Sequence, residues 1–152
     1  MQIIIYDKSY LNKIPELFVN SIYNSCKKDY TLKQLEAWAG LNIDYKFWEN
    51  KLKKTKPFLA ILDGKLVGFA EFYNDYIDCF YVDYTFQKKG IGKALLTHII
   101  YIAKQNNIKK IKVDASITSK PFFEKFGFKK VKRNLVKKAN EELINYSLEL
   151  IL

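Results

Sequence analysis

The segment Phe80–Leu96 constrains this 152-residue chain most, because it reads as an apolar strand, a basic loop with two glycines and a strongly apolar helix. A helix that begins in such a loop directs several unpaired N–H groups at one point, and its dipole adds positive potential there. Helix termini of this kind bind phosphate, and Lys88, Lys89 and Lys93 add full charges. The segment therefore predicts a strand–loop–helix unit that binds a phosphorylated ligand.

The two glycines of the loop have separate expected uses. Gly90 lets the backbone turn tightly, and Gly92 lets a ligand approach the main chain. The loop is not a dinucleotide-binding fingerprint, because Leu95 stands where the third glycine of that motif would be, and no P-loop motif occurs in the chain. An ordinary strand–turn–helix with incidental glycines is the alternative interpretation.

The loop sequence Q-K-K-G-I-G resembles the Q/R-x-x-G-x-G/A loop of the GCN5-related N-acetyltransferases, the GNAT family. In that family the loop holds the pyrophosphate of acetyl-coenzyme A (acetyl-CoA). The resemblance implies that acetyl-CoA is the cosubstrate here and that its phosphates are bound by Gln87, Lys88, Lys89, Gly90, Ile91, Gly92 and Lys93.

A second segment, Phe123–Phe128, resembles the Y-E-K-x-G-F pattern that follows a strand and a short helix in the same family. Pro121 suits the first turn of that helix, and Gly127 suits a left-handed cap at its end. Asp29–Ala39, together with Ala115–Thr118, is similar to a bacterial GNAT subgroup of mostly unassigned substrate.

Length and composition predict a single domain over residues 1–152, because 49% hydrophobic residues are enough for one full core. The chain starts without a secretory pattern and contains no apolar run as long as a membrane span, which predicts a cytoplasmic protein with no membrane partner. Cys26 and Cys79 lack metal-binding or redox spacing, and we expect no metal.

The net charge of +10 has two interpretations. One is an anionic partner, and the other is an AT-rich coding sequence, since Arg133 is the only arginine among many lysines. We favour the second for most surface lysines. The basic run at 129–138 would suit nucleic acid, but a solvated hairpin carries such charges as protection against edge pairing, and no recognition helix or zinc pattern accompanies it. We expect no nucleic-acid partner, and a monomer or homodimer.

Hydrophobic periodicity and turn residues predict an α/β (α+β) fold: a mixed, mostly antiparallel sheet of about seven strands with helices on both faces. The predicted strands are 2–6, 58–62, 65–73, 76–82, 110–114, 129–138 and 142–151. The predicted helices are 11–27, 31–38, 44–52, 91–106 and 121–126, the second opened by a capping box of Thr31 and Gln34. Strands 76–82 and 110–114 should be parallel, because a helical crossover joins them.

In the GNAT family this parallel pair splays apart. The resemblance implies that main-chain groups of Phe80, Tyr81 and Val82 are left free to bond the pantetheine arm as an added strand would. It also implies a cofactor contact at Ser116, where many members have asparagine. A cap at the start of the next helix is an equal alternative for that serine.

Phe123 stands where many GNAT members have a tyrosine that lies against the cofactor and protonates the leaving thiolate. The resemblance places Phe123 at the cofactor, but phenylalanine has no proton to donate. Either another group donates the proton, or the thiolate leaves with the help of water, or the reaction needs no catalytic acid. Tyr76, Tyr81 and Tyr84 are substitutes close in sequence, and packing in the core or at its rim is the alternative for each.

Candidate bases are Glu71 and Asp78, which lie on adjacent predicted strands. A carboxylate on the central strands that acts through water is common in the family. Strand alternation places Asp78 on the face opposite Ile77 and Cys79. The alternative is a solvated carboxylate or a partner for a lysine.

Tyr30 and Trp38 lie in the N-terminal helical region, which usually builds the acceptor site in this family. Their rings would hold an amine by cation–π contact, with core packing as the alternative. The sequence as a whole predicts an N-acetyltransferase that moves acetyl from acetyl-CoA to a primary amine by direct transfer in a ternary complex. A non-catalytic module that senses acyl-CoA or binds nucleic acid on the same fold is the alternative.

Overall fold

Seven strands form one mixed sheet in the computed structural model, which describes all residues from 1 to 152. In chain order the strands are β1 (Gln2–Ile5), β2 (Phe58–Leu62), β3 (Lys65–Tyr73), β4 (Tyr76–Val82), β5 (Lys110–Ser116), β6 (Lys129–Lys138) and β7 (Glu141–Ile151). Their order across the sheet is β1-β2-β3-β4-β5-β7-β6, and β4–β5 is the one parallel pair. The predicted fold class and the predicted parallel pair are confirmed.

Five α-helices accompany the sheet: α1 (Lys13–Ser25), α2 (Leu32–Ala39), α3 (Tyr45–Thr55), α4 (Ile91–Gln105) and α5 (Lys120–Lys125). The predicted capping box opens α2, where the Gln34 N–H donates to Thr31 Oγ1 at 3.2 Å and the Thr31 N–H donates to Gln34 Oε1 at 2.8 Å. The first helix begins at Lys13 and not at Leu11 as predicted, and a separate 3-10 turn at Lys8–Tyr10, capped by Asp7, precedes it. None of the helices has both the length and the apolar character needed to cross a membrane.

The two faces of the sheet bury different helices. On one face Leu95, Leu96 and Ile99 of α4 are fully buried in a core cluster that also includes Phe123 of α5. On the other face α1 and α3 pack on Phe69 of β3, and a smaller cluster joins α1 and α2 to β7. Burial of each such leucine or isoleucine contributes about 1.5–3 kcal/mol, so the sheet is held firmly between its two helical layers.

A β-bulge at Asp78 interrupts the pairing of β3 with β4. Glu71 and Phe72 on β3 face Cys79 and Ile77 in turn, so Asp78 is the extra residue. Ile77 consequently packs in the α4 cluster, while Cys79 packs in the α1–α3 cluster. The expectation that both residues lie opposite Asp78 is wrong, because regular alternation fails across an inserted residue.

The parallel pair separates soon after it begins. Its ladder registers only Tyr76 with Lys112 and Ile77 with Val113, although β4 continues to Val82 and β5 to Ser116. The splay implied by the family resemblance is therefore present, and it leaves a gap between the carboxyl ends of the two strands.

Candidate functional site

The gap between β4 and β5 opens into a cavity of about 790 Å³, a volume typical of small-molecule sites. Its walls come from β4, the loop before α4, the end of β5, α5 and the C-terminal end of α1. Most of the predicted site residues line it: Trp38, Asp78, Phe80, Tyr81, Val82, Gln87, Lys88, Gly90, Ile91, Gly92, Lys93, Ser116 and Phe123. Lys89, Glu71 and Tyr30 do not line it.

The start of α4 presents free N–H groups to this cavity. Gly90 precedes the helix with φ +81°, a left-handed conformation that glycine adopts without strain, and no side chain caps the helix. The first N–H that bonds back belongs to Ala94, which donates to the Gly90 carbonyl at 3.0 Å. The N–H groups of Ile91, Gly92 and Lys93 precede that bond, so this turn has the geometry of an anion site.

Gly92 is small for a packing reason that the sequence did not reveal. A Cβ built at this position would lie 3.1 Å from Cε2 and 3.2 Å from Cζ of the Phe122 ring, which is closer than ordinary carbon contacts. Phe122 itself lines the cavity. Close approach of a ligand is thus not the sole demand for glycine here, since the Phe122 ring occupies the space beside it.

The lysines of the basic loop differ in whether they line the cavity. Lys88 and Lys93 line the cavity, whereas the Lys89 Nζ lies over the Phe86 ring at 5.2 Å from its centroid. The Gln87 side-chain amide donates to the Val82 carbonyl at 3.1 Å, which ties the loop to the end of β4.

Main-chain groups of β4 alternate between β3 and the gap. The Asp83 N–H donates to the Val67 carbonyl at 2.9 Å, and Tyr81 stands opposite Phe69, so the main chain at Tyr81 and Asp83 faces β3. The main chain at Phe80 and Val82 therefore faces the gap, as the resemblance implied. The main chain at Tyr81 faces β3 and not the gap for the same reason, and Tyr81 contributes its side chain to the cavity.

Glu71 and Asp78 meet at a lysine that the sequence analysis missed. The Lys51 Nζ lies 2.8 Å from Glu71 Oε1 and 3.2 Å from Asp78 Oδ2. Burial alone would lower the pKa of Lys51, but Cys79, Glu71 and Asp78 together raise it, so the ammonium stays charged. The Glu71 side chain is 1% exposed and the Asp78 side chain 42%, so Asp78 is the carboxylate that reaches the cavity.

A sequence signal for Lys51 did exist. Trp48 and Leu52 mark the buried stripe of α3, and Lys51 lies three residues after Trp48 on that stripe. A lysine on the apolar stripe of a helix indicates a buried acidic partner, although the partner's identity requires the fold.

Tyr30 and Trp38 have different environments. The Tyr30 hydroxyl donates to the Ile144 carbonyl at 2.6 Å and accepts from the Ile117 N–H at 2.9 Å, while burial raises the pKa of this phenol to about 12. These contacts give Tyr30 a structural role, and its ring meets Trp38 edge-on at 5.4 Å. Trp38 lines the cavity directly.

Phe123 is almost completely buried, 1% exposed, and its ring lies 5.2 Å from those of both Phe80 and Phe128. Ser116 also lines the cavity, and its Oγ accepts from the Ser119 N–H at 3.0 Å. This bond is the cap-like alternative considered for Ser116, at the turn that precedes α5.

The three substitute tyrosines differ in how free their hydroxyls are. The Tyr76 hydroxyl donates to Asp114 Oδ2 at 3.0 Å, and Tyr84 is 44% exposed beside the cavity. Tyr81 lines the cavity, and burial raises the pKa of its phenol well above the usual value. Tyr81 therefore keeps its proton near neutral pH.

A family profile described as "Acetyltransferase (GNAT) domain" matches residues 26–150. The chain belongs to the GNAT family. This GNAT domain is 34% identical over 136 residues to the uncharacterized N-acetyltransferase YafP of Escherichia coli K12, covering 90% of this chain and 86% of the relative. Membership in this family makes the protein an N-acetyltransferase and disfavours the non-catalytic alternative.

Solved structures agree with the fold. A GCN5-related N-acetyltransferase from Rhodopseudomonas palustris superposes with a TM-score of 0.94 at 29% identity, covering 99% of this GNAT domain and 95% of that chain. The PaiA N-acetyltransferase of Thermoplasma acidophilum was solved in complex with coenzyme A. Its superposition covers 100% of each chain, with a TM-score of 0.77 at 18% identity. The second likeness concerns the fold alone.

Proposed function

We propose that this GNAT domain transfers an acetyl group from acetyl-CoA to a primary amine by direct attack in a ternary complex. One observation carries the proposal: a single cavity joins the free N–H groups at the start of α4 to the unpaired edge of β4. Acetyl-CoA has the matching order of groups, a pyrophosphate followed by an arm with two amides. The coenzyme A complex of the PaiA relative supports the same ligand class.

In this proposal the first turn of α4 binds the pyrophosphate. Gly92 and Lys93 offer main-chain N–H groups there, and the Lys88 and Lys93 side chains add positive charge. The main chain of Phe80 and Val82 takes the pantetheine amides as an added strand. The Val82 carbonyl already accepts from Ser21 Oγ at 3.0 Å and from Gln87, so Phe80 is the freer of the two. Acetyl-CoA itself supplies the activated thioester.

The acceptor amine lies against the α1–α3 side of the same cavity. Trp38 and Tyr81 provide aromatic surface for the arriving ammonium, and Asp78 provides negative charge. Lys51, Glu71 and Asp78 carry one positive and two negative charges, so the cluster is net negative and attracts a cation.

The ammonium first loses one proton to solvent, and Asp78 acts as the base, directly or through one water, by taking the proton that the neutral amine sheds as it attacks. The amine nitrogen bonds to the thioester carbonyl carbon and the carbon–sulfur bond breaks, so the nitrogen loses one proton to Asp78 and the thiolate gains one from Tyr81. Tyr81 is the donor because it is the protonated phenol on the cavity wall whose hydroxyl is not committed to Asp114 and not largely solvated. The proton on Asp78 then returns through water to the Tyr81 phenolate, which restores both groups.

The test is thiol release from acetyl-CoA with phenethylamine, spermidine and a peptide N-terminus as acceptors. We expect at least one amine to be acetylated. Asp78→Asn should lower kcat roughly 10²–10⁴-fold, the range for loss of a general base, while acetyl-CoA affinity stays within about threefold. Tyr81→Phe should lower kcat in the same way. Absence of thiol release from the folded wild type with every acceptor would refute the proposed transfer, and absence of acetyl-CoA binding as well would refute the ligand assignment.

A further inference from the structure

Lys51 links α3 to the centre of the sheet where β3 and β4 are distorted by the bulge. Its side chain is 21% exposed, and its Nζ lies within 3.2 Å of a carboxylate oxygen on each of the two strands. The neighbouring lysines of α3, Lys53 and Lys54, point to solvent instead. Lys51 is therefore the lysine of this helix that faces the site.

We infer that Lys51 is a positioning residue that aims the Asp78 carboxylate into the cavity, an inference that rests on the proposed function. Asp78 is the extra residue of the bulge, and a bulge redirects a side chain without fixing its rotamer. The Asp78 carboxylate is 42% exposed, and its one polar partner in the protein is Lys51 Nζ. The ammonium therefore sets the direction of this carboxylate.

Glu71 holds the lysine in place. Its carboxylate is 1% exposed, and neither oxygen has a hydrogen-bond partner apart from the Lys51 ammonium 2.8 Å from Oε1. A buried carboxylate without a counter-ion is strongly unfavourable, so the pair fixes the Lys51 side chain on the sheet. Glu71 is predicted here to act through Lys51 and not as the base.

Two buried groups beside Asp78 carry no charge at neutral pH, because burial raises the pKa of the Cys79 thiol and of the Tyr81 phenol. Burial, followed by the charge of Asp114, raises the pKa of the Tyr76 phenol, whose hydroxyl donates to Asp114. Asp114 on β5 is thus a charged neighbour that shares the cavity, and Lys51 is the cation in direct contact with Asp78.

The expected effect of losing Lys51 follows from orientation. A carboxylate base has to lie within hydrogen-bond reach of the proton that it takes. Without the ammonium the Asp78 side chain is free to turn away from the cavity. For Lys51→Met we expect kcat to fall roughly 10–100-fold, while the KM for acetyl-CoA stays within about threefold.

The experiment compares Lys51→Met with Lys51→Arg, which keeps a cation beside both carboxylates and should recover much of kcat. Lys53→Met is the matched control, because Lys53 lies on the same helix, pairs only with Glu49 and is 66% exposed. If Lys51→Met fails to fold, the Lys51→Met/Glu71→Gln variant removes both partners of the buried pair and should show the same loss of kcat.

Crystal structures of the Lys51→Met and Lys53→Met variants give a readout without turnover. We expect the Asp78 carboxylate to leave its position on the cavity wall in Lys51→Met and to keep it in Lys53→Met. An unmoved Asp78 carboxylate in Lys51→Met would overturn the inference. If the wild type acetylates no amine, the proposed function fails, while the position of the Asp78 carboxylate still decides the role of Lys51.

Discussion

A side chain at Gly92 has to share space with the Phe122 ring, and this makes Gly92→Val the most informative single substitution. A Cβ at Gly92 meets Phe122 at 3.1 Å and Phe80 Cε1 at 3.7 Å, and valine adds two methyl groups beyond that atom. Overpacking of this kind costs about 1–3 kcal/mol, which lowers Tm by roughly 2–12 °C in a domain of this size. Gly92→Val should therefore destabilise the fold moderately.

Gly92→Ala is the matched control. Alanine gains helix propensity of up to about 1 kcal/mol over glycine, and a half-buried Phe122 ring needs to move only slightly, so we expect stability within about 1 kcal/mol of the parent. The family pattern accepts alanine at this position. Acetyl-CoA affinity should therefore stay within about threefold for Gly92→Ala and fall tenfold or more, about 1.4 kcal/mol, for Gly92→Val.

Calorimetric titration with acetyl-CoA and thermal denaturation measure the two effects separately. The variant Gly92→Val/Phe122→Leu should recover stability, because the smaller side chain leaves room, yet its affinity should remain low. If folded Gly92→Val binds acetyl-CoA as tightly as the parent, α4 does not bind the pyrophosphate and this reasoning fails.

Two further predictions concern charge and burial. Lys93→Ala should weaken acetyl-CoA binding, measured by calorimetry, more than Lys89→Ala does, because Lys93 lines the cavity and the Lys89 ammonium lies over Phe86. Both losses of affinity should fade at high salt. Equal losses of affinity in the two variants would contradict the assignment. Tyr30→Phe should destabilise the fold by about 1–3 kcal/mol in chemical denaturation without changing acetyl-CoA affinity, because it leaves the Ile117 N–H and the Ile144 carbonyl unpaired. Since the Tyr30 pKa is raised to about 12, the folded state keeps a proton that the unfolded chain releases above about pH 10. The free energy of unfolding should therefore fall as pH rises from about 10 to about 12, and it should fall less steeply in Tyr30→Phe. The same pH dependence in the variant and the parent would show that Tyr30 is not its cause.

Local signals in the sequence were sufficient to predict the helices and strands and their order along the chain. Thr31 and Gln34 carry a capping box that needs no tertiary context, and Asp63-Gly64 marks the β2–β3 turn in the same way. The α4 start was equally readable, because two glycines and three lysines stand between an apolar strand and an apolar helix. The parallel pairing followed from the helical crossover alone.

The side-chain contacts within the site could not be predicted in this way. The bulge at Asp78 changes which residues share a face, and nothing in a period-two pattern reveals one inserted residue. Lys51 reaches Glu71 and Asp78 across long sequence separations, so the cluster exists only once α3 is docked on the sheet. Tyr30 was predicted at the acceptor site from its neighbourhood, but its hydroxyl is bonded to the main chain at residues 117 and 144.

The most direct test of the central claim is an amide ¹H–¹⁵N chemical-shift titration with acetyl-CoA. The account predicts saturable shifts concentrated at Ile91, Gly92 and Lys93, where free N–H groups begin α4, and at Phe80 and Val82 on the open edge of β4. Saturable binding whose shifts lie elsewhere, or no shifts at these residues at millimolar acetyl-CoA, would contradict the account.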